Sequence, residues 1–373
     1  MDLKDIRKEL DGIDAQIAAL YEKRMKLSEE VAESKRESGK NVYDKEREQE
    51  KLKTVAALVP EPDYRQGVVE LFSSIMASSR KLQYSRLSDS YKGSLPFTEV
   101  DGLNKNARVV FQGAEGSYSE AAAHAFFPEG ADFFHLDTFR NAMLSLDEGS
   151  AEYAVLPIEN STAGIVSEIY DLLAEFEHYI VGEQMIQIEH CLLGVTGTTE
   201  ASIKTVYSHP QSLMQSEHFL REHPEWEQRS MKNNAFAARK VAEDADITQA
   251  AIAGAHAAEV YGLNILKRGI NQSDTNTTRF IVVSNRKIFA KGAKKISLCF
   301  ELPDESGSLY HMLSHFIYNG LNMTKIESRP IEGRNWEYRF FLDFDGNLSD
   351  ASVKNALCGL REEARNLRIL GNY

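Results

Sequence analysis

The chain has 373 residues, a formal net charge of −13 at pH 7, 42% hydrophobic and 27% charged residues, enough apolar material for two or three domains of roughly 150 residues each. The acidic balance argues against nucleic acid as the main partner, because phosphate binding needs a basic face. Three cysteines, Cys191, Cys299 and Cys358, lie far apart with no CxxC or Cys/His spacing, so neither a disulfide framework nor a metal site is expected. The opening Met1-Asp2-Leu3-Lys4-Asp5 lacks the apolar core of a signal peptide, and no apolar run of about 18 residues occurs, which predicts a cytoplasmic chain.

Of the 23 glycines only Gly12, Gly39, Gly67 and Gly93 fall in the first hundred residues, a bias toward helix. Leu3, Ile6, Leu10, Ile13, Ile17 and Leu20 alternate three- and four-residue steps, predicting one long helix from Leu3 to Ser38. Continuing the count reaches Arg24, Leu27 and Val31, so Arg24 stands where an apolar knob belongs, and Lys35 falls within about 20° of the same face. A helix more than ~50 Å long suits packing against a partner chain. A later helix carries Val68, Leu71, Phe72, Ile75 and Met76, then Ser79 and Gln83 on one face, while Asp44, Arg47 and Glu48 share a face after the turn near Gly39. A lone polar seam residue can simply fix register. Two cations on one seam and two polar residues on another point instead to a small polycarboxylate held inside the bundle.

With Arg7 added, this set resembles the all-helical chorismate mutase of the bacterial bifunctional P-protein type, across residues 1–90. The resemblance implies that Arg7, Arg24 and Arg47 hold the two carboxylates of chorismate and that Lys35 and Gln83 face its ether oxygen as catalytic groups. It also implies that Asp44, Glu48 and Ser79 bind the hydroxyl and position the ligand. A Claisen rearrangement moves no proton, so the site needs only a compact conformer and a positive charge where negative charge develops. Arg7 is about 25 Å from Arg24 along the helix and roughly 100° aside. Its participation therefore requires an antiparallel second copy, which predicts a dimer with shared sites.

A linker is expected from Ser85 to Asn106, followed by an α/β segment at 106–285. Residues 107–111 read as a strand, Gln112 to Gly116 as a turn, and Ser117-Tyr118-Ser119-Glu120 as the capping box of a helix. Three polar stretches flank later strands: Pro157-Ile158-Glu159-Asn160, read as a loop after Leu156; Ser208-His209-Pro210-Gln211; and Thr278-Arg279-Phe280 leading into Ile281-Val282-Val283. Each alone is ordinary turn chemistry. Together they resemble prephenate dehydratase. That resemblance implies a two-lobed fold like type II periplasmic binding proteins, with substrate in the cleft. It places Thr278 at the catalytic centre, with Glu159, Asn160, Ser208, His209, Gln211 and Arg279 as substrate-binding residues. Loss of the ring hydroxyl needs a proton, and Thr278, Glu159 and His209 are all open as its source.

After a break at Ser284 to Lys295, residues 295–373 read β-α-β-β-α-β, a ferredoxin-like α+β order. The segment resembles an ACT regulatory domain, with Gly307-Ser308-Leu309 and Glu327-Ser328-Arg329-Pro330 matching its phenylalanine-binding pattern. Ser308 departs from the small apolar residue common there. The resemblance implies that Gly307, Leu309, Glu327, Ser328, Arg329 and Pro330 bind L-phenylalanine, an allosteric inhibitor, at a dimer interface. The sequence thus predicts three domains and a bifunctional enzyme of phenylalanine synthesis, without cofactor or metal and at least dimeric. A mutase fused to a prephenate dehydrogenase would need GxGxxG after a strand, and none occurs. The remaining alternative, a non-catalytic amino-acid-sensing protein with a dimerising helical arm, gives the polar seam residues no role.

Overall fold

The computed structural model describes residues 2–87, 96–305 and 307–373; Gly93 of the expected linker lies outside them. The chain forms two compact units. One joins residues 1–97 to 292–369, and the other joins 98–291 to 370–373.

In the first unit α1 (Leu3–Ser38) starts at Asp2, whose carboxylate accepts from the Lys4 and Asp5 amides at 2.8 and 2.9 Å, and stops at Gly39 in the left-handed region. Helices α2 (Lys45–Ala57) and α3 (Pro62–Leu87) follow, and both α1 and α2 pack on α3. The expected seam residues from Leu3 to Leu20 are 42–67% exposed, so none of the described residues covers the first half of α1.

The second unit has two α/β lobes. The first runs through β1 (Thr98–Val100), β2 (Arg108–Gln112), α4 (Tyr118–Phe126), β3 (Asp132–Leu136), α5 (Phe139–Asp147), β4 (Tyr153–Asn160), β5 (Gly164–Ile165), α6 (Ser167–Glu175) and β6 (Tyr179–Gln187). The second comprises β7 (Cys191–Gly194), β8 (Thr205–Ser208), α7 (Pro210–Gln215), α8 (Glu217–Arg221), β9 (Glu227–Ser230), α9 (Asn234–Asp244), β10 (Gln249–Ala253), α10 (Ala255–Tyr261) and β11 (Asn264–Lys267), its sheet ordered β11-β7-β10-β8-β9. The chain then returns to the first lobe as β12 (Thr277–Ser284), inserted between β6 and β4, and β13 (Ile288–Ala290) pairs with β1. Val109, Phe111, Tyr153, Val155, Phe280 and Val282 fill the first core; Leu192, Val206, Phe219, Trp226 and Ile252 fill one side of the second sheet.

The Pro157–Asn160 stretch is not a loop. It is the end of β4, held antiparallel to β12 with Asn160 opposite Thr278. Pro157 is tolerated because it sits at a register shift in that ladder, between Arg279 and Phe280.

The chain re-enters the first unit through β14 (Lys295–Glu301), α11 (Ser308–Tyr318), β15 (Met323–Pro330), β16 (Tyr338–Asp345), α12 (Ala351–Glu363) and β17 (Arg365–Asn372). Its strands run β15-β16-β14-β17, with β15 at the edge, and α11 and α12 pack against each other and on α3. That packing makes one unit of the helical and C-terminal segments. The last residues pass into the second unit, where Gly371 pairs with Ile180. Among the described residues no helix is long and apolar enough to cross a membrane.

Candidate active sites

On α1 it is Ser28 and Ala32 that are buried, whereas Leu27 and Val31 remain exposed. Arg24 and Lys35, both half-buried, therefore stand at the boundary between the covered face and the open apolar seam, not in the middle of one seam. Arg24 Nη1 donates to Ser79 Oγ, which accepts from Ser28 Oγ (3.2 Å) and donates to the Ile75 carbonyl (3.0 Å). Lys35 Nζ donates to the Val42 carbonyl at 2.5 Å. Desolvation pulls both cations below their ordinary pKa, the mark of a charge enclosed without a full counter-charge. The Glu48 carboxylate opposes that pull on both, so the three groups share one neighbourhood. Gln83 is buried, and its Oε1 has no hydrogen-bond partner among the described residues.

The structure thus brings Arg24, Lys35, Glu48, Ser79 and Gln83 together and leaves three expected residues at the margin. Asp44 is exposed and caps α2 through the Arg47 amide (3.0 Å); Arg47 is exposed and pairs with Glu50 (3.3 Å); Arg7 lies on the uncovered half of α1. One buried cation was not foreseen. Arg80, ion-paired with Glu48, continues the α3 stripe four residues past Met76, which is the signal the sequence offers.

In the second unit a cavity of about 880 Å³ is lined by both lobes. At its floor Thr278 Oγ1 accepts from Asn160 Nδ2 (2.9 Å), which also reaches Asn276 Oδ1 (2.8 Å). Asn160 Oδ1 in turn accepts from the Thr162 amide (3.0 Å) and hydroxyl (2.8 Å) and the Ala163 amide (2.9 Å). Gln215 Nε2 extends this network to Thr162 Oγ1 (2.8 Å), and its carbonyl lies 2.9 Å from His190 Nε2. His190 and Tyr118, 3.0 Å apart, complete that wall; burial lowers the pKa of the one and raises that of the other, so both are neutral. Thr162 and Ala163 follow Asn160 by two and three residues, a local Asx pattern, and Asn276 stands two residues before Thr278; Gln215 and His190 join the network only through the fold.

His209 and Gln211 line the cavity. His209 caps α7 by accepting the Gln211 amide at Nδ1 (3.2 Å), which puts the proton of the neutral ring on Nε2, and burial lowers its pKa. Ser208 lies behind the wall, fully buried, bonding the Ile252 carbonyl (2.6 Å) and Asn234 Oδ1 (3.0 Å) and so fixing an amide that does line the cavity.

Glu159 and Arg279 are not part of this lining. Thr278 and Phe280 face the cavity, so Arg279 between them faces away, where it ion-pairs with Glu183 (2.8 Å) and Glu159 (3.8 Å) and donates to the Tyr373 hydroxyl (2.7 Å). Among the described residues the lining includes no lysine or arginine, and a bound anion would be met there by hydroxyls, amides and neutral imidazoles.

Beside the cavity the lobes are clasped. Glu120 of α4 accepts from the Gly116 amide (2.6 Å) and from His256 Nε2 of α10 (2.9 Å), which lowers the Glu120 pKa and raises that of His256. Gly116, at φ +80°, allows the approach: a Cβ there would stand 3.0 Å from Ala257 Cα.

In the C-terminal segment Gly307, at φ +81°, turns the chain into α11, where Ser308 and Leu309 are half-buried. Glu327-Ser328-Arg329-Pro330 ends the edge strand β15, with Ser328 and Pro330 exposed and Glu327 and Arg329 half-buried.

A cation-bearing helical seam and a two-lobed, hydroxyl- and amide-lined cleft on one chain define a protein with two separate ligand sites. The family model for chorismate mutase type II matches residues 6–84, and that for prephenate dehydratase matches residues 109–288. A bifunctional chorismate mutase/prephenate dehydratase of Aquifex aeolicus is 32% identical over the whole chain and 98% of its own length. A prephenate dehydratase from Arthrobacter aurescens, solved in complex with L-Phe, is 31% identical with a TM-score of 0.66 over 71% of this chain and 89% of its own. A structure described as GqqA, a quorum quenching acylase, is 33% identical with a TM-score of 0.66 over 71% of this chain and 96% of its own. The chain belongs to the bifunctional chorismate mutase/prephenate dehydratase family.

Proposed function

We propose that the helical seam rearranges chorismate to prephenate and that the two-lobed cleft converts prephenate to phenylpyruvate. The observation that carries the first step is that Arg24 and Lys35 are half-buried and, among the described residues, hydrogen-bonded to neutral acceptors. A dicarboxylate supplies the missing charge. Lys35 and Gln83 face the ether oxygen as the C–O bond lengthens, Arg24 holds a carboxylate, and Ser79 and Glu48 orient the ligand. Arg47 and Asp44, at the rim, close on the bound ligand.

In the cleft, the ring carboxylate leaves as CO2, its bonding electrons aromatise the ring, and the hydroxyl departs with one proton as water. Thr278 Oγ1 accepts from Asn160, and its own hydrogen has no protein acceptor among the described residues, so it points a donor at the departing hydroxyl. Neutral His209 offers Nε2–H, and Gln211 binds a carboxylate. A wall without cations suits decarboxylation, because a cation fixed to the leaving carboxylate would stabilise the ground state more than the transition state.

The uncovered apolar face of α1 supports an antiparallel second copy that brings its Arg7 to this chain's Lys35. Mixing Arg7→Ala and Lys35→Ala chains should then restore part of the mutase activity that each lacks; hybrid dimers with none would contradict sharing. The β-α-β-β-α-β segment is read as a ferredoxin-like ACT module, with Gly307, Leu309, Glu327, Ser328, Arg329 and Pro330 taking L-phenylalanine between copies as a feedback inhibitor; the reduced cysteines and this biosynthetic role fit the cytoplasm. Purified protein given chorismate should form phenylpyruvate, and L-phenylalanine should slow it. Formation of neither prephenate nor phenylpyruvate would contradict the reading.

A further inference from the structure

Glu362 and Glu363 end α12 in the C-terminal segment, yet both are engaged with the helical segment of the same unit. Glu362 Oε1 accepts from the Val42 amide (3.2 Å), and its Oε2 accepts from the Tyr43 amide (2.6 Å) and the Tyr84 hydroxyl (2.7 Å). The other end of that short stretch is the Val42 carbonyl, which receives Lys35 Nζ. Asp44, the cap that begins α2 and sets the path to Glu48, comes next in the chain. Glu363 lies 3.7 Å from Arg80 Nε, and Arg80 holds Glu48 from its other side; Glu363 is itself fixed by His315 at 2.8 Å. Val42, Tyr84 and Leu87 form a small core with Cys358 of α12, so the contact is both packed and polar.

An interface built only for docking would be satisfied by that core and by exposed pairs such as Lys45–Glu305 (2.6 Å). Here the half-buried Glu362 accepts from the loop that anchors Lys35, and Glu363 stands within ion-pair reach of the cation that anchors Glu48.

We propose that Glu362 is a positioning residue of the mutase reaction, supplied by the C-terminal segment: it fixes the 42–43 backbone so that Lys35 stands at the ether oxygen. The proposal rests on the mutase reading above. Lys35 is faced by Glu362 from α12, Asp44 and Glu48 from α2 and its cap, and Arg80 from α3; the three carboxylates favour its charged form, and Arg80 and burial oppose it. Removing the Glu362 charge leaves burial less opposed, so Lys35 loses its proton at lower pH and the alkaline decline of mutase activity moves with it.

The test is full-length Glu362→Gln, assayed for conversion of chorismate to prephenate from neutral to alkaline pH. It should lose roughly tenfold in kcat with little change in KM, shift its alkaline limb to lower pH, and keep wild-type prephenate dehydration. Glu305→Gln, which breaks only the exposed pair between the same segments, should match the wild type. If Glu362→Gln unfolds the helical segment by circular dichroism, Glu362→Asp serves instead: it keeps the charge and shortens the reach, so kcat should fall while the alkaline limb stays near that of the wild type. Wild-type kcat and pH profile in the Glu362 variants, or an equal loss in Glu305→Gln, would overturn the proposal. A wild-type chain without mutase activity would overturn the underlying reading, and the proposal with it.

Discussion

Lys35→Ala should lower the mutase kcat/KM by about a thousandfold, close to 4 kcal/mol of transition-state stabilisation, with prephenate dehydration unchanged. The magnitude follows from what the reaction lacks. Without proton transfer or a nucleophile, the acceleration must come from holding the ligand compactly and from charge at the breaking ether bond. The ammonium group is the only full positive charge assigned to that bond. Truncation also removes its hydrogen bond to the Val42 carbonyl, but that partner sits in a loop still held by Glu362, so the fold should survive. Because burial holds the Lys35 pKa down, wild-type mutase activity should fall as pH rises through that depressed value, earlier than an ordinary lysine would dictate. Initial rates with chorismate and, separately, with prephenate check both points.

Thr278→Ala should reduce prephenate dehydration by about 10³-fold and leave the mutase step untouched, since a positioned proton donor contributes roughly 10²–10⁴. Thr278 is nearly buried, opposite Asn160 in the β4–β12 ladder, and Asn160 is held by Thr162, Ala163 and Asn276. The hydroxyl therefore has one fixed direction. Thr278→Ser keeps the donor and should retain most of the rate, whereas Thr278→Val, similar in shape but without the hydroxyl, should behave like the alanine variant. A fall in the mutase rate in any of the three would contradict the independence of the two sites.

How far the sequence reveals these sites depends on what kind of pattern each element leaves. The bounds of α1 are legible because apolar spacing, the Asp2 cap and Gly39 all agree. The same periodicity does not say which neighbour covers which stripe, so Arg24 and Lys35 were expected in mid-seam although α3 covers only the Ser28–Ala32 side. The Pro157–Asn160 stretch reads as a loop because proline punctuates locally, whereas its strand pairing with β12 is a contact between distant parts of the chain. The misplacement of Arg279 has the same root: with β12 taken to begin near Ile281, nothing set Thr278 and Arg279 on opposite faces. Glu362 is invisible to local reasoning, because it acquires its role only when α3 and α12 meet; Arg80 shows in the sequence only as a cation continuing the α3 stripe, and its pairing with Glu48 needs α2 to pack on α3.

The most direct test of two chemically successive sites on one chain gives chorismate, at neutral pH, to Lys35→Ala chains, to Thr278→Ala chains and to an equal mixture of both. The account predicts phenylpyruvate at about a thousandth of the wild-type rate from the first, accumulating prephenate with little phenylpyruvate from the second, and phenylpyruvate from the mixture far faster than from either as free prephenate passes between molecules. Phenylpyruvate formed at the wild-type rate by either variant alone, or a mixture as inactive as its parts, would contradict it.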